Sequence, residues 1–217
     1  MHRLCIRKFI ILPLSIVFMA VSCAPRPTWV EKMLNKPICL APCWNAITPG
    51  ETTRDELSEM LKQASDDYDI TTSTGLPWGP VLSWCVGGSP CGLGDLSVLS
   101  AFNSRGIVQE IYLRPGTPLY LKDFIPLYGF PEKVAFSDTL SSPGNIVVGL
   151  LYPKSGLVLE FLSGNQGTFT SPAVDFREDL EVSSIIFSVP GLEYYYSTNI
   201  VAKTLQQFDW KGYTRYP

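Results

Sequence analysis

The chain has 217 residues and a formal net charge of −3, with 46% hydrophobic and 17% charged residues and a single histidine, His2. That balance excludes an intrinsically disordered chain, and it offers no electrostatic reason to bind nucleic acid. By length the chain accommodates one large domain or two small ones.

The N-terminus reads as a targeting segment. Arg3, Arg7 and Lys8 carry its positive charge, and Phe9 to Val21 is an apolar run broken only by Pro13 and Ser15. The run is too short to cross a bilayer, which takes about 20 residues. It ends Ala20-Val21-Ser22-Cys23, small residues running into a cysteine. Here the first 23 residues resemble bacterial lipoprotein precursors, with Ala20 in place of the leucine commonest at that position. The resemblance implies removal of residues 1–22 and diacylation (palmitate included) of Cys23. The protein would then be exported and lipid-anchored to the outer face of a bacterial membrane, in the cell envelope. An ordinary cleaved signal with an incidental cysteine is the alternative. Cleavage removes three of the 17 basic residues and no acid, leaving 14 against 20 and a mature charge of −6. The lipid, not charge, would hold such a protein to a membrane.

Export gives the cysteines meaning. Cys39, Cys43, Cys85 and Cys91 remain once Cys5 and Cys23 are set aside, and an even count in an oxidising compartment favours two disulfides. The local pairs Cys39–Cys43 and Cys85–Cys91 are preferred among the three pairings, because each brackets a proline-bearing turn. A four-cysteine metal site is the competing reading, disfavoured by the lack of tight two-residue spacing.

Residues 23–37 read as a proline-punctuated tether with at most one helical turn at Glu31–Leu34. A first α+β module is expected over 38–114. Its entry loop points Trp44 and Ile47 to the core. A helix follows Thr52 and Thr53, where Thr53 and Glu56 have capping-box spacing, and Leu57, Met60, Leu61 and Ala64 form its apolar stripe. Strands are predicted at Tyr68–Thr74 (an edge), Val81–Val86, Leu96–Phe102 and Ile107–Leu113, the last two joined by an Asn103–Gly106 turn. A second module is expected over 115–190. Its short helix starts near Thr117-Pro118, carries Pro126 and stops at Gly129 and Pro131. Strands follow at Lys133–Ser137, Ile146–Tyr152, Leu157–Leu162 and Val182–Val189, with an irregular Ser163–Glu178 loop before the last. The hairpins echo: Gly106-Ile-Val-Gln-Glu-Ile against Gly156-Leu-Val-Leu-Glu-Phe, fifty residues on. Pro-Gly pairs ending at Gly50, Gly116 and Gly191 fall 66 and 75 residues apart. Residues 191–217 are expected to form a C-terminal helix, Tyr196 to Phe208, and an aromatic tail. The predicted class is α+β: two tandem modules, each a helix packed on an about four-stranded antiparallel sheet, plus that helix.

The string Leu127-Tyr-Gly-Phe-Pro-Glu-Lys-Val134, after a helix opening on Gly-Thr, is similar to the pattern of BamE/SmpA-type bacterial lipoproteins, within about 113–134. Those are small accessory modules of outer-membrane assembly. A tandem of such modules also resembles the β-lactamase inhibitor protein fold. The first repeat keeps Gly50, Thr52 and the helix stripe but lacks the Gly-x-Pro ending.

With His2 in the discarded segment, the mature chain has no histidine for a Ser-His-Asp or Cys-His mechanism or a histidine zinc site. Asp66, Asp67 and Asp69 read as a solvated turn, with calcium binding or catalysis as the sharper alternatives. Glu110 and Glu160 are expected to face outward from their strands, or else to form a facing pair across a groove as in glycosidases. No motif calls for a cofactor. The aromatics Trp78, Trp84, Tyr194, Tyr195, Trp210 and Tyr213 either pack the core or line a contact surface. The reading that follows is a non-enzymatic binding or envelope-assembly module with the membrane and a protein or envelope component as partners. An inhibitor-like protein holding an enzyme loop on a concave sheet, and a carboxylate-dependent hydrolase, are the alternatives.

Overall fold

A computed structural model describes residues 28–34, 37–63, 68–76, 79–86, 96–139, 146–162, 174–191 and 202–216. In chain order these form α1 (Thr28–Leu34), α2 (Arg54–Gln63), β1 (Tyr68–Leu76), β2 (Gly79–Val86), β3 (Leu96–Phe102), β4 (Val108–Pro115) and α3 (Leu121–Tyr128). Then come β5 (Lys133–Thr139), β6 (Ile146–Tyr152), β7 (Leu157–Leu162), β8 (Val174–Asp175), β9 (Ser184–Ser188), β10 (Ala202–Asp209) and β11 (Arg215–Tyr216).

The helices start where backbone donors find partners. At α2 the Thr53 amide donates to Glu56 Oε2 at 2.8 Å and the Glu56 amide donates to Thr53 Oγ1 at 3.3 Å, a capping box. Leu57 and Leu61, one turn apart, are buried beneath it. The first helix is longer than one turn because Trp29, Val30, Met33 and Leu34 make a buried stripe at helical spacing. The helix expected from Thr117 instead begins at Leu121, capped by the Tyr120 amide donating to Asp123 Oδ2 at 2.9 Å. The residues before it are held extended: the Val182 amide donates to Leu119 O at 2.7 Å, and Leu121 to Leu180 O at 3.0 Å.

Nine strands make one sheet in the order β1-β2-β3-β4-β9-β7-β6-β5-β10, every neighbouring pair antiparallel. A two-stranded ribbon pairs β8 with β11. This corrects the expected pair of separate helix-on-sheet modules. Strands β4 and β9, the last of each predicted module, pair with each other from Glu110↔Ser188 to Leu113↔Ile185, so the two sheets are one. The predicted C-terminal helix is also overturned in its described part. Ala202–Asp209 is a strand on the open edge of β5, with Phe208 across from Val134 and its ring 5.7 Å from Phe136. An unpaired sheet edge offers a full row of backbone partners, and that outweighs the modest helix preference of alanine, lysine and glutamine.

Alternation along the strands divides the sheet into two faces. On one, Trp84, Val98, Ile111, Leu113, Ile185, Phe187, Leu159, Leu150 and Val134 join residues of all three helices in a continuous core. On the other, Tyr112, Ile186, Val158, Leu151 and Ala135 form a smaller apolar cluster, with no described helix over it. Strand β9 is buried along its whole length, on both faces.

The β6–β7 turn is locked onto this central strand. Ser188 donates its amide to Gly156 O at 2.7 Å, and Gly191 donates to Pro153 O at 3.1 Å. Gly156 has φ +62°, and a Cβ there would lie 2.1 Å from the Ser188 carbonyl oxygen. Gly106, in the β3–β4 turn, has a similar φ of +74° but its nearest neighbour is a side-chain carbon at 3.9 Å. Gly106→Ala is therefore expected to cost about 1–2 kcal/mol, the left-handed strain alone, and Gly156→Ala about 3 kcal/mol or more, since backbone must also move. Urea denaturation of the two variants measures the gap; equal losses would show that the turn is not pinned to β9.

Candidate functional site

The residues singled out from sequence fall in different places. Trp84 is 2% exposed and tilts against Trp44 with ring centres 6.4 Å apart, so both belong to the core rather than to a contact surface. Cys39 and Cys43 form a disulfide with Cα atoms 5.6 Å apart. Cys85 is disulfide-bonded, while Cys91, the other half of the expected pair, lies outside the described residues. Cys23, Asp66, Asp67, Trp78, Tyr194 and Tyr195 also lie outside them. Trp210 and Tyr213 are described, and they belong to a cluster.

That cluster is built where α3 ends. The Gly129 amide donates to Ile125 O at 2.9 Å, closing the helix, and Gly129 itself takes φ +73°. Pro131 then fixes the chain, and Phe130 between them stands 57% exposed. Its ring meets Tyr213 edge-on at 6.0 Å, Tyr213 meets Trp210 at 6.0 Å, and Trp210 covers Phe176 at 5.3 Å. The Trp210 amide donates to Glu132 O at 2.9 Å, tying the end of β10 to the start of β5. Beneath, Tyr128 and Tyr152 pack edge to face at 6.3 Å, and Tyr152 donates its hydroxyl to Gly129 O at 3.2 Å. Burial holds the hydroxyls of both above their ordinary range, with Tyr213 and Tyr128 adding to the effect on Tyr152.

The disulfide loop adjoins this cluster. A backbone hydrogen bond joins Ala41 to the Tyr128 hydroxyl, and α1 touches α3 alongside. On that loop Ile38 is 67% and Leu40 55% exposed, flanking Cys39. Among the described residues the large exposed hydrophobics are Ile38, Leu40, Phe130 and Tyr213. Phe130 and Tyr213 thus form one exposed pair and Ile38 and Leu40 another, on segments linked through the Ala41–Tyr128 hydrogen bond, and these four residues are the exposed apolar rim. Sequence reasoning found Tyr213 and Trp210 but missed the other three. The available signal was an apolar residue inside punctuation: Phe130 between Gly129 and Pro131, and Ile38 and Leu40 around a bridged cysteine.

The paired glutamates have a different character. Glu110 and Glu160 lie on the helix-free face, on the strands flanking β9, and Tyr112 reaches between them. The Tyr112 hydroxyl donates to Glu160 Oε2, and Glu160 is 4% exposed. Burial first, then Glu160, pushes the Tyr112 hydroxyl far above its ordinary range; Ser184 opposes this slightly and Glu110 adds to it. A third set of acids, Glu51, Glu56 and Glu59, lines an open groove beside α2. There the Thr53 amide and hydroxyl hold the Glu56 carboxyl below its ordinary range. No cluster with metal-ligand character occurs among the described residues.

Comparison of the chain with protein-family models, with curated proteins and with solved structures finds no match.

The tyrosines make stability sensitive to base. A hydroxyl with a raised folded value keeps its proton when the unfolded chain, near pH 10, begins to lose it. The contribution is complete below about pH 10 and is lost as pH climbs from there toward the folded value. Tyr112→Phe is expected to cost about 1.5–3 kcal/mol at neutral pH, because a buried carboxyl oxygen loses its donor. Its thermal midpoint should also fall less steeply than the wild type's above about pH 10. Parallel curves for the two proteins would show that Tyr112 carries none of the alkaline loss.

Proposed function

We propose that this chain is a lipid-anchored, non-enzymatic binding or envelope-assembly module whose working surface is the apolar rim of Ile38, Leu40, Phe130 and Tyr213. The observation that carries the reading is that these exposed side chains fall on two segments linked through Ala41 and Tyr128, with Phe130 and Tyr213 in ring contact. Scattered apolar residues are ordinary on any protein surface, whereas a contiguous set marks a contact site. The lipoprotein-like start of the chain, small residues running into Cys23, supports the anchor. The lack of a histidine beyond His2 supports a role other than triad or histidine-metal catalysis.

The inhibitor-like alternative is less well supported. It needs an open concave face with exposed aromatics, whereas Val158, Ile186, Leu151 and Ala135 at the centre of the helix-free face are at most 4% exposed. The hydrolase alternative needs two acids converging on open space, whereas Glu160 is buried and engaged by Tyr112.

Two substitutions test the reading. Cys23→Ala should move the protein from the membrane to the soluble fraction with its thermal midpoint unchanged; retention in the membrane fraction would refute the lipid anchor. In the anchored chain, Phe130→Cys should react several-fold more slowly with a membrane-impermeant thiol reagent in intact envelopes than after purification in detergent. Equal rates would mean that the rim contacts nothing.

A further inference from the structure

We propose that the helix-free face of the sheet is a docking surface for this chain's own residues 192–201, which join β9 to β10. In this placement they cross Val158, Leu151 and Ala135 as an extended segment. The inference goes beyond the binding reading above and holds whether or not Cys23 carries lipid.

The face is covered, and no described element covers it. Tyr112, Ile186, Val158 and Leu151 form one row in register across β4, β9, β7 and β6. Leu151 is 0%, Ile186 1% and Val158 4% exposed, and Ala135 on β5 is 2% exposed. The described helices contribute to the core on the other face. Residues 1–27 lead into α1, whose Trp29 and Val30 also belong to that other core. Between Val158 and β10 the face is shallow, because Ala135 pairs with Gly149, itself buried. A glycine inside a strand marks a place where another backbone approaches closely.

Strand directions say which connection must cross here. All neighbouring strands are antiparallel, so β4 and β5, four places apart, are parallel to each other, and so are β9 and β10. Both connections step the same way along the sheet, but the two pairs of strands point in opposite directions. Crossovers between parallel strands share one hand, the right, in about 98% of cases. Two crossovers of the same hand, stepping the same way from oppositely directed strands, lie on opposite faces. The β4-to-β5 connection carries α3, whose Leu121 and Phe124 lie in the helix-side core. The β9-to-β10 connection therefore belongs on the helix-free face.

Reach and composition agree. The segment leaves from Gly191, whose amide bonds Pro153 O in the β6–β7 turn, and arrives at Ala202, across from Thr139 at the far end of β5. Those ends lie diagonally about 25–30 Å apart, by strand rise and spacing. Eleven residue steps cover about 36 Å as strand but only about 16 Å as helix, so the crossing is mostly extended. The segment carries Leu192, Tyr194, Tyr195, Tyr196, Ile200 and Val201, which suit an apolar face. Residues 163–173 are the competing cover, and their one large apolar side chain is Phe169. With residues 192–201 seated, Tyr194 and Tyr195 serve the sheet rather than a partner, and a concave-sheet mode of binding has no free surface.

The test places p-benzoylphenylalanine in the full chain at Tyr194, Tyr195 or Tyr196, one at a time. Irradiation is expected to give intramolecular cross-links from at least one position to the β5, β6 or β7 peptides carrying Ala135, Leu151 or Val158. Cross-links to the α3 peptide would place the segment on the opposite face, and cross-links only between molecules would assign it to a partner. The same probe at Phe169 cross-linking to the patch, with none from 194–196, would assign the cover to residues 163–173. Each of these outcomes, or no cross-link at all, overturns the proposal. A second measurement reads the cover directly. Val158→Cys is expected to react with a thiol reagent at least tenfold faster once Tyr194, Tyr195 and Tyr196 are all changed to Ser, below the thermal midpoint of both proteins. Equal rates would show that residues 192–201 do not shield Val158.

Discussion

The structure depends on the pairing of β4 with β9. Each is the last strand of the module expected from the sequence, and each would otherwise present an open edge in the middle of the protein. Their antiparallel contact, Glu110↔Ser188 through Leu113↔Ile185, makes one sheet of two meanders, whose outermost described strands are β1 and β10. Both helix-entry segments are fastened to this seam. Before α2, Gly50 donates to Val108 O at 2.7 Å and Val108 to Thr52 O at 2.8 Å; before α3, Leu119 and Leu121 bond the residues leading into β9. Disturbing the seam would therefore release both helices, not only two strands.

A central strand buried on both faces sets what its neighbours are. Ile185 and Phe187 face the helices, so Ser184, Ile186 and Ser188 face the other way and are still covered. Tyr112 and Glu160, across from and beside Ile186 and Ser184, then meet in an environment with little water. A hydroxyl donating to a carboxyl group there satisfies a donor and an acceptor at once, with Ser184 bonding the same hydroxyl. The pair is better understood as what a two-sided sheet requires than as a remnant of catalysis. It also explains the Gly-x-x-x-Glu echo between the two hairpins: β4 and β7 both border β9, and both place their glutamate on the same face.

Local features were legible because their causes are local. Capping chemistry placed α2, and apolar runs flanking glycine-bearing turns placed both hairpins, with the observed ends for β3, β6 and β7. The seam was not legible, because Tyr112 and Ile186 are far apart in the chain and nothing near either announces the other. The same blindness produced the false C-terminal helix. Residues 202–208, Ala-Lys-Thr-Leu-Gln-Gln-Phe, favour a helix mildly when read alone, and only the edge of β5 makes them a strand. Aromatic content likewise says that Trp84 and Tyr213 matter, but burial alone separates a core ring from a surface one.

The rim shows why that separation bears on function. A protein able to bury Trp29 and Trp84 in one core, with Trp44 packed against it, could have folded Phe130 or Leu40 inward as well. Instead Phe130 is held outward by a helix-ending glycine and a proline, and Leu40 by a bridged loop. Rigid turns cost the chain conformational freedom and gain nothing for the core when the residue they carry points away from it.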